Sequence, residues 1–315
     1  DNYNILELLE EQNLENIINK LESLPQDKLT NFALECVCEE LLITASYKIE
    51  RTGMKLGLHR MEYILELFNH PEKDLKVIHV AGTNGKGSTC SYIKDILKTK
   101  YRVGLYSSPG MLSFNDRIRV NDDFIPYKEA YRLFKEVVKV YDANNPDPSD
   151  KLSFFEIITA VALLYFKDQK TDFVIMEVGL GGRYDGTNIF KEKLLSIITK
   201  IGLDHTAILG DSLEKIAYEK AGIIQENDNV LIYPADNSVV NVISNICKEK
   251  NANFSILDEH NIEIKDIGAR GNKFSFRNID YTTKMVGQHQ IYNASLGLAA
   301  IFSLRSRGII DIDDK

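Results

Sequence analysis

Tryptophan is absent from the 315 residues, and cysteine is scarce. Cys36, Cys38, Cys90 and Cys247 form neither a C-x-x-C pair nor a set with zinc-ligand spacing, which excludes a cysteine-built metal centre. The C-x-C of Cys36 and Cys38 sits in an apolar helical stretch and reads as packing, not redox chemistry. Positive charge is also in deficit. Lys and Arg number 38 against 46 Asp and Glu, giving a net charge of −8, so extended binding to nucleic acid is excluded while a local phosphate site remains compatible. No apolar run reaches membrane-spanning length, and the opening DNYNILELLEEQ lacks the basic and apolar blocks of a signal peptide. The expectation is a cytoplasmic monomer with no membrane or nucleic-acid partner. With 44% hydrophobic content, the chain is long enough for one large core or two smaller domains.

What is present is organised around residues 76–89, KVIHVAGTNGKGST. An apolar run reads as a buried strand, and CSYIKDIL after it reads as a helix beginning at Ser88. The turn between them, Gly82, Thr83, Asn84, Gly85, Lys86, Gly87, Ser88 and Thr89, concentrates three glycines around one lysine. Glycine lets backbone N–H groups approach an anion, a helix N-terminus points at it, and Lys86 adds a compact positive charge. That combination is a phosphate cradle, although the spacing departs from G-x4-G-K-[ST]: Val80 stands where the first glycine belongs, and Gly87 separates Lys86 from Ser88. An ordinary strand-to-helix turn needs fewer glycines than this.

The rest of the chain alternates strands and helices. Residues 1–30 predict one or two amphipathic helices ending near Pro25, and residues 32–47 predict another. After the cradle, strands are expected at 102–106, 172–178, 194–200, 230–233 and 254–257, with helices at 127–141, 154–166, 212–221 and 238–250. Residues 262–286 switch to short alternating runs with Gly and Asn turns, as antiparallel hairpins do, and 287–307 become a helix. The fold class is therefore α/β, a doubly wound and mostly parallel sheet carrying a P-loop, plus a small antiparallel β-subdomain. Glu177 lies at the end of an apolar strand, where a Mg²⁺ ligand, a water-positioning carboxylate or a merely capped glutamate could equally sit. Asp204 and His205 occupy the same kind of strand end. The loop MLSFNDRIRV sets Phe114 beside Asn115, Asp116 and Arg117, suited to an aromatic ligand bearing carboxylates or else to a solvated hairpin. Lys220 reads either as a buried amine or as half of a surface ion pair with a neighbour such as Glu219.

The ordered motifs AGTNGKGST, LYSSPGMLSFNDRI, MEVGLGGRYDGTN, GLDHTAILG, EKAGII and GQHQIYNAS together resemble the folylpolyglutamate synthase and dihydrofolate synthase family of the Mur ligase superfamily, from about residue 32 onward. The resemblance implies a Mur ligase central domain over 32–300 with the hairpins of 262–286 inside it. Residues 1–31 would be a helical N-terminal extension, and 301–315 the start of a linker to a C-terminal domain that the sequence does not contain. It implies ATP phosphates held by residues 82–88, with Lys86 on the β and γ oxygens, and magnesium held by Ser108, Glu177 and His205 with Ser88 as a further candidate. Lys220 matches the lysine that family members can carry as a carbamate, Asn293 the asparagine of the nucleotide site, and Phe114, Asn115 and Arg117 a loop bordering the pterin pocket. The implied reaction is ATP-dependent phosphorylation of a substrate carboxylate and attack on the acyl phosphate by L-glutamate, with dihydropteroate or a reduced folate as the acid. Another Mur-type ligase and a catalytically silent nucleotide-binding fragment are the competing expectations.

Overall fold

The computed structural model describes residues 14–50, 57–110, 113–203 and 209–313. In chain order the first elements are α1 (Leu14–Glu22), α2 (Lys28–Glu50), α3 (His59–Leu67), β1 (Val77–Ala81), α4 (Lys86–Leu97) and β2 (Val103–Tyr106). Next come β3 (Ile118–Val120), β4 (Asp123–Phe124), α5 (Tyr127–Asn144), α6 (Phe154–Asp168), β5 (Phe173–Glu177) and β6 (Leu195–Ile198). The chain continues through α7 (Leu213–Lys220), β7 (Asn229–Ile232), α8 (Asn237–Glu249) and β8 (Asn253–Ile256), then β9 (Ile262–Gly268), β10 (Gly271–Phe276), β11 (Ile279–Thr283) and α9 (Gln288–Ser306). These elements form two compact units, one built from residues up to 74 together with 109–170, the other from 75–108 and 171 onward.

The second unit holds the parallel sheet. Its strands run in the order β2-β5-β1-β6-β7-β8, with β1 paired in parallel to β5 on one side and β6 on the other. Every residue of β1, β5 and β6 is buried, which is why VIHVA, FVIME and LSII read as continuous runs and not as alternating ones. On one face, Ile78 and Val80 pack with Cys90, Ile93 and Leu97 of α4 and Ile291, Leu298 and Ile301 of α9. On the other, Ile198, Val230 and Ile232 pack with Ala217 of α7 and Val239 and Ile243 of α8. The antiparallel sheet β9-β10-β11 adds Phe274 and Phe276 to the first of these cores.

The first unit is mainly helical, with α1 on α2, α2 on α5, α5 on α6, and α3 against both α5 and α6. Arg60 of α3 fixes that arrangement. It is almost fully buried, donates from Nε to both Glu156 oxygens at 2.9 and 3.2 Å, and reaches Asp150 at 3.2 Å. Glu156 also closes the capping box of α6 by accepting from the Ser153 N–H at 2.7 Å. Of the MLSFNDRIRV loop, the described residues from Ser113 on form a short 3-10 turn, Phe114–Arg117, capped by Ser113, followed by the β3–β4 ribbon.

One boundary differs from the sequence expectation in a way that matters. Helix α4 begins at Lys86, not Ser88, because Gly85 takes φ of +87° and serves as the N-cap. Lys86, Gly87 and Ser88 therefore fill the first helical turn.

Candidate active site

Parallel pairing brings three strand ends to one edge. Val80 is opposite Glu177 and Ala81 is opposite Ile198, so the turn after β1 sits between Glu177 at the end of β5 and Thr199 just past β6. Gly82, at φ +148°, is pressed so closely to Thr199 that a β-carbon there would come within 1.8 Å of the threonine Oγ1. The cradle is strapped to the chain beyond β6: the N–H groups of Thr83 and Asn84 donate to the Lys200 carbonyl at 3.0 and 3.1 Å. Thr83 Oγ1 donates to the Gly202 carbonyl at 3.0 Å and accepts from the Gly202 N–H at 3.1 Å. Thr83 and Asn84 thus spend their amides on shaping the loop. The first N–H groups of α4, on Lys86, Gly87 and Ser88, have no carbonyl four residues back within the helix and are the donors aimed outward.

Charge is concentrated on this turn. Lys86 Nζ donates to the Gly82 carbonyl at 3.1 Å, and Lys220, buried to 3% exposure at the end of α7, donates to the same carbonyl at 2.8 Å. Of the two readings of Lys220, the structure has the buried amine. Glu177 is 5% exposed and accepts from the Ser108 N–H at 3.4 Å. Burial pushes its carboxyl up to about 7 against the opposing pull of Lys86 and the Ser108 bond, with the Asp185 carboxylate adding to the rise. Gly87 leaves open the space beside Glu177, since a β-carbon there would stand 3.6 Å from its Oε2. The hydroxyls of Thr89 and Thr199 are buried and find no hydrogen-bond partner among the described residues.

Helix α9 covers the other side of the turn. Asn293 Oδ1 would be 2.4 Å from a β-carbon on Gly85, and Gln290 Nε2 donates to Ser88 Oγ at 3.2 Å. Sequence reasoning named Asn293 but passed over Gln290, although it stands in the quoted GQHQIYNAS motif; Thr199, at the end of an apolar strand, carried no signal of its own. Lys86, Ser88, Ser108, Glu177, Lys220 and Asn293 all belong to this second unit. His205 lies outside the described residues. Phe114, Asn115 and Arg117 belong to the first unit, where Phe114 packs edge-on against Phe154 with ring centres 5.6 Å apart. Asn115 is engaged in its own ribbon, accepting from Ser113 Oγ at 2.9 Å and donating to the Ile125 carbonyl at 3.0 Å. The buried Nε of Arg117 finds no acceptor among the described residues.

Residues 80–301 match the Mur ligase middle domain. The chain belongs to the Mur ligase family. Among curated relatives it is 40% identical over 271 residues to a dihydrofolate synthase/folylpolyglutamate synthase of Bacillus subtilis, covering 84% of this chain and 63% of that protein. Among solved structures it is similar to the folylpolyglutamate synthase of Thermotoga maritima, with a TM-score of 0.75 and 29% identity over 86% of this chain and 64% of the other. It is likewise similar to the Mycobacterium tuberculosis folylpolyglutamate synthase complexed with ADP and AMPPCP, with a TM-score of 0.77 and 26% identity over 86% and 63%. The chain thus spans somewhat under two thirds of the length of these Mur ligase relatives. No helix among the described residues of this Mur ligase chain is long and apolar enough to cross a membrane.

Proposed function

We propose that this protein is an ATP-dependent amide ligase that joins L-glutamate to dihydropteroate or to a reduced folate through an acyl phosphate. The observation that carries the reading is the edge where the first amides of α4, the Lys86 ammonium and the buried Glu177 carboxylate converge. The names of the relatives, and the ADP and AMPPCP bound to one of them, support the substrate and nucleotide assignments.

The donors at that edge suit Mg²⁺. Among the described residues the desolvated carboxylate accepts one long hydrogen bond, at 3.4 Å, and is only partly offset by the Lys86 ammonium, and the Ser88 and Ser108 hydroxyls add hard oxygen atoms. Glu177, Ser88 and Ser108, with His205, would hold the ion, which when bound offsets negative charge on the phosphoryl oxygens. In this reading the amides of Lys86, Gly87 and Ser88 take the ATP phosphates. Lys86 Nζ turns from the Gly82 carbonyl to the β and γ oxygens, and Asn293 meets the base. The substrate carboxylate attacks the γ-phosphorus, the bond to the β–γ bridging oxygen breaks, and ADP leaves. The amino group of glutamate then attacks the acyl carbon; phosphate departs and the amine proton passes to solvent. The chain supplies positioning and electrostatics and needs no side-chain nucleophile. In this reading Phe114, Asn115 and Arg117 border the pterin, as the family resemblance implies.

Carbamylation of Lys220 by CO₂ is part of the same reading. It would replace an ammonium by an anion, with two protons released and one N–H left for the Gly82 carbonyl, and intact mass in bicarbonate buffer tests it. The function itself is tested by offering dihydropteroate, tetrahydrofolate and nucleotide-linked muramyl acids separately with ATP and labelled glutamate. Incorporation into a pterin acid is the expected result. Incorporation into a muramyl acid alone, or into none, overturns the assignment.

A further inference from the structure

Ser88 is held from outside its own helix. Its Oγ accepts the Gln290 Nε2–H at 3.2 Å, and the other end of the same amide, Gln290 Oε1, accepts Asn293 Nδ2–H at 3.3 Å. Asn293 is itself wedged against Gly85, and it is 5% exposed. The first turn of α9 therefore touches the cradle at two points, the N-cap glycine and the serine three residues on. The small antiparallel sheet sets the height of that turn. Asn272 of β10, 2% exposed, donates from Nδ2 to the carbonyls of Met285 and Gly287 at 2.9 and 3.0 Å, and the Gly287 carbonyl also accepts the Gln290 N–H at 3.0 Å. A deeply buried asparagine thus fixes where α9 starts and, with it, where Gln290 points.

A serine hydroxyl has one proton and two lone pairs. Once Gln290 donates to one lone pair, the hydroxyl proton cannot point at Gln290, and one lone pair remains for a cation while the proton is left for an anionic oxygen. We propose that Gln290 is a positioning residue that orients the Ser88 hydroxyl for a nucleotide-bound divalent cation and links that hydroxyl to Asn293 beside Gly85. This rests on the nucleotide reading of the cradle. Gln290 does not touch the phosphates; its effect on the Mg²⁺ requirement runs through Ser88 and vanishes when the Ser88 hydroxyl is gone, whereas its bond to Asn293 bears on nucleotide binding with or without Mg²⁺.

The test is a double-mutant cycle on the whole chain, measuring AMPPCP binding calorimetrically across a Mg²⁺ titration. Loss of one neutral hydrogen bond corresponds to roughly a 3- to 10-fold rise in the Mg²⁺ concentration giving half-maximal binding. Gln290→Met, which keeps the length and removes the amide, should show that rise over and above any change in AMPPCP binding in EDTA, which reads the lost bond to Asn293. Gln290→Asn, which keeps an amide but falls one methylene short of Ser88, should behave alike and guards against a folding defect in the first variant. Ser88→Ala should raise the Mg²⁺ requirement, and Gln290→Met in that background should add nothing. An unchanged Mg²⁺ requirement in both Gln290 variants overturns the proposal, as does full additivity in the double mutant. Wild-type protein that binds no AMPPCP with Mg²⁺ overturns the nucleotide reading as well, and that failure is visible before any variant is made.

Discussion

Replacing Glu177 by glutamine should remove a pH-dependent destabilisation of the metal-free protein and, in the proposed function, abolish its use of Mg²⁺. The carboxyl is 5% exposed and burial raises it from 4.5 to about 7. Between those pH values the folded chain binds a proton that the unfolded chain has released. The Glu177 contribution to wild-type stability therefore falls as pH rises from 4.5 and levels off above 7. At about 1.4 kcal/mol for each pH unit, the span corresponds to a penalty of about 3 kcal/mol at pH 8 that the amide does not carry. The amide introduces its own buried N–H groups at a cost of about 1–3 kcal/mol, but that cost is independent of pH. The assay is urea unfolding in EDTA at several pH values. The stability of Glu177→Gln relative to wild type should climb by about 3 kcal/mol between pH 4.5 and pH 8 and then plateau. A difference that stays flat across that range refutes the claim that burial outweighs Lys86 at this carboxyl.

Other consequences follow from the same geometry. Gly85→Ala forces a β-carbon into φ +87° and to within 2.4 Å of Asn293 Oδ1. It should cost about 1–2 kcal/mol in backbone strain alone and weaken AMPPCP binding, measured by unfolding and calorimetry. Arg60→Ala leaves Glu156 and Asp150 without their shared cation and should lower stability by about 3–5 kcal/mol in urea titration; a change under about 1 kcal/mol would contradict the role given to Arg60. Cys36 is exposed, whereas burial pushes the Cys38 and Cys247 thiols up to about 12 and holds Cys90 well above its ordinary value. Ellman's reagent should therefore titrate a single thiol in the native protein and all four in guanidinium.

The sheet was readable because parallel strands buried on both faces must be apolar throughout, and VIHVA, FVIME and LSII have no other economical explanation. Cradle and strand-end glutamate were readable for the same reason: a glycine cluster or a charge at the end of such a run has to lie at the sheet's edge. What escaped was set by long-range register. Nothing near Thr199 in the sequence reveals that Gly82 will be pressed against it, because that contact depends on β1 and β6 being neighbours. Lys220 stayed ambiguous for the same cause, its partner being the Gly82 carbonyl far away along the chain. The start of α4 was misplaced because serine is the commoner N-cap, while here a left-handed glycine caps the helix and places Lys86 inside it.

The central claim is that the turn around Lys86 activates a carboxylate by phosphoryl transfer from ATP. The most direct measurement is ATP-dependent incorporation of labelled glutamate into a pterin acid by wild type and by Lys86→Ala, with ADP and phosphate counted against product. The account predicts one ADP and one phosphate per amide in wild type and loss of incorporation in the variant. Undiminished turnover by a folded Lys86→Ala protein would contradict it.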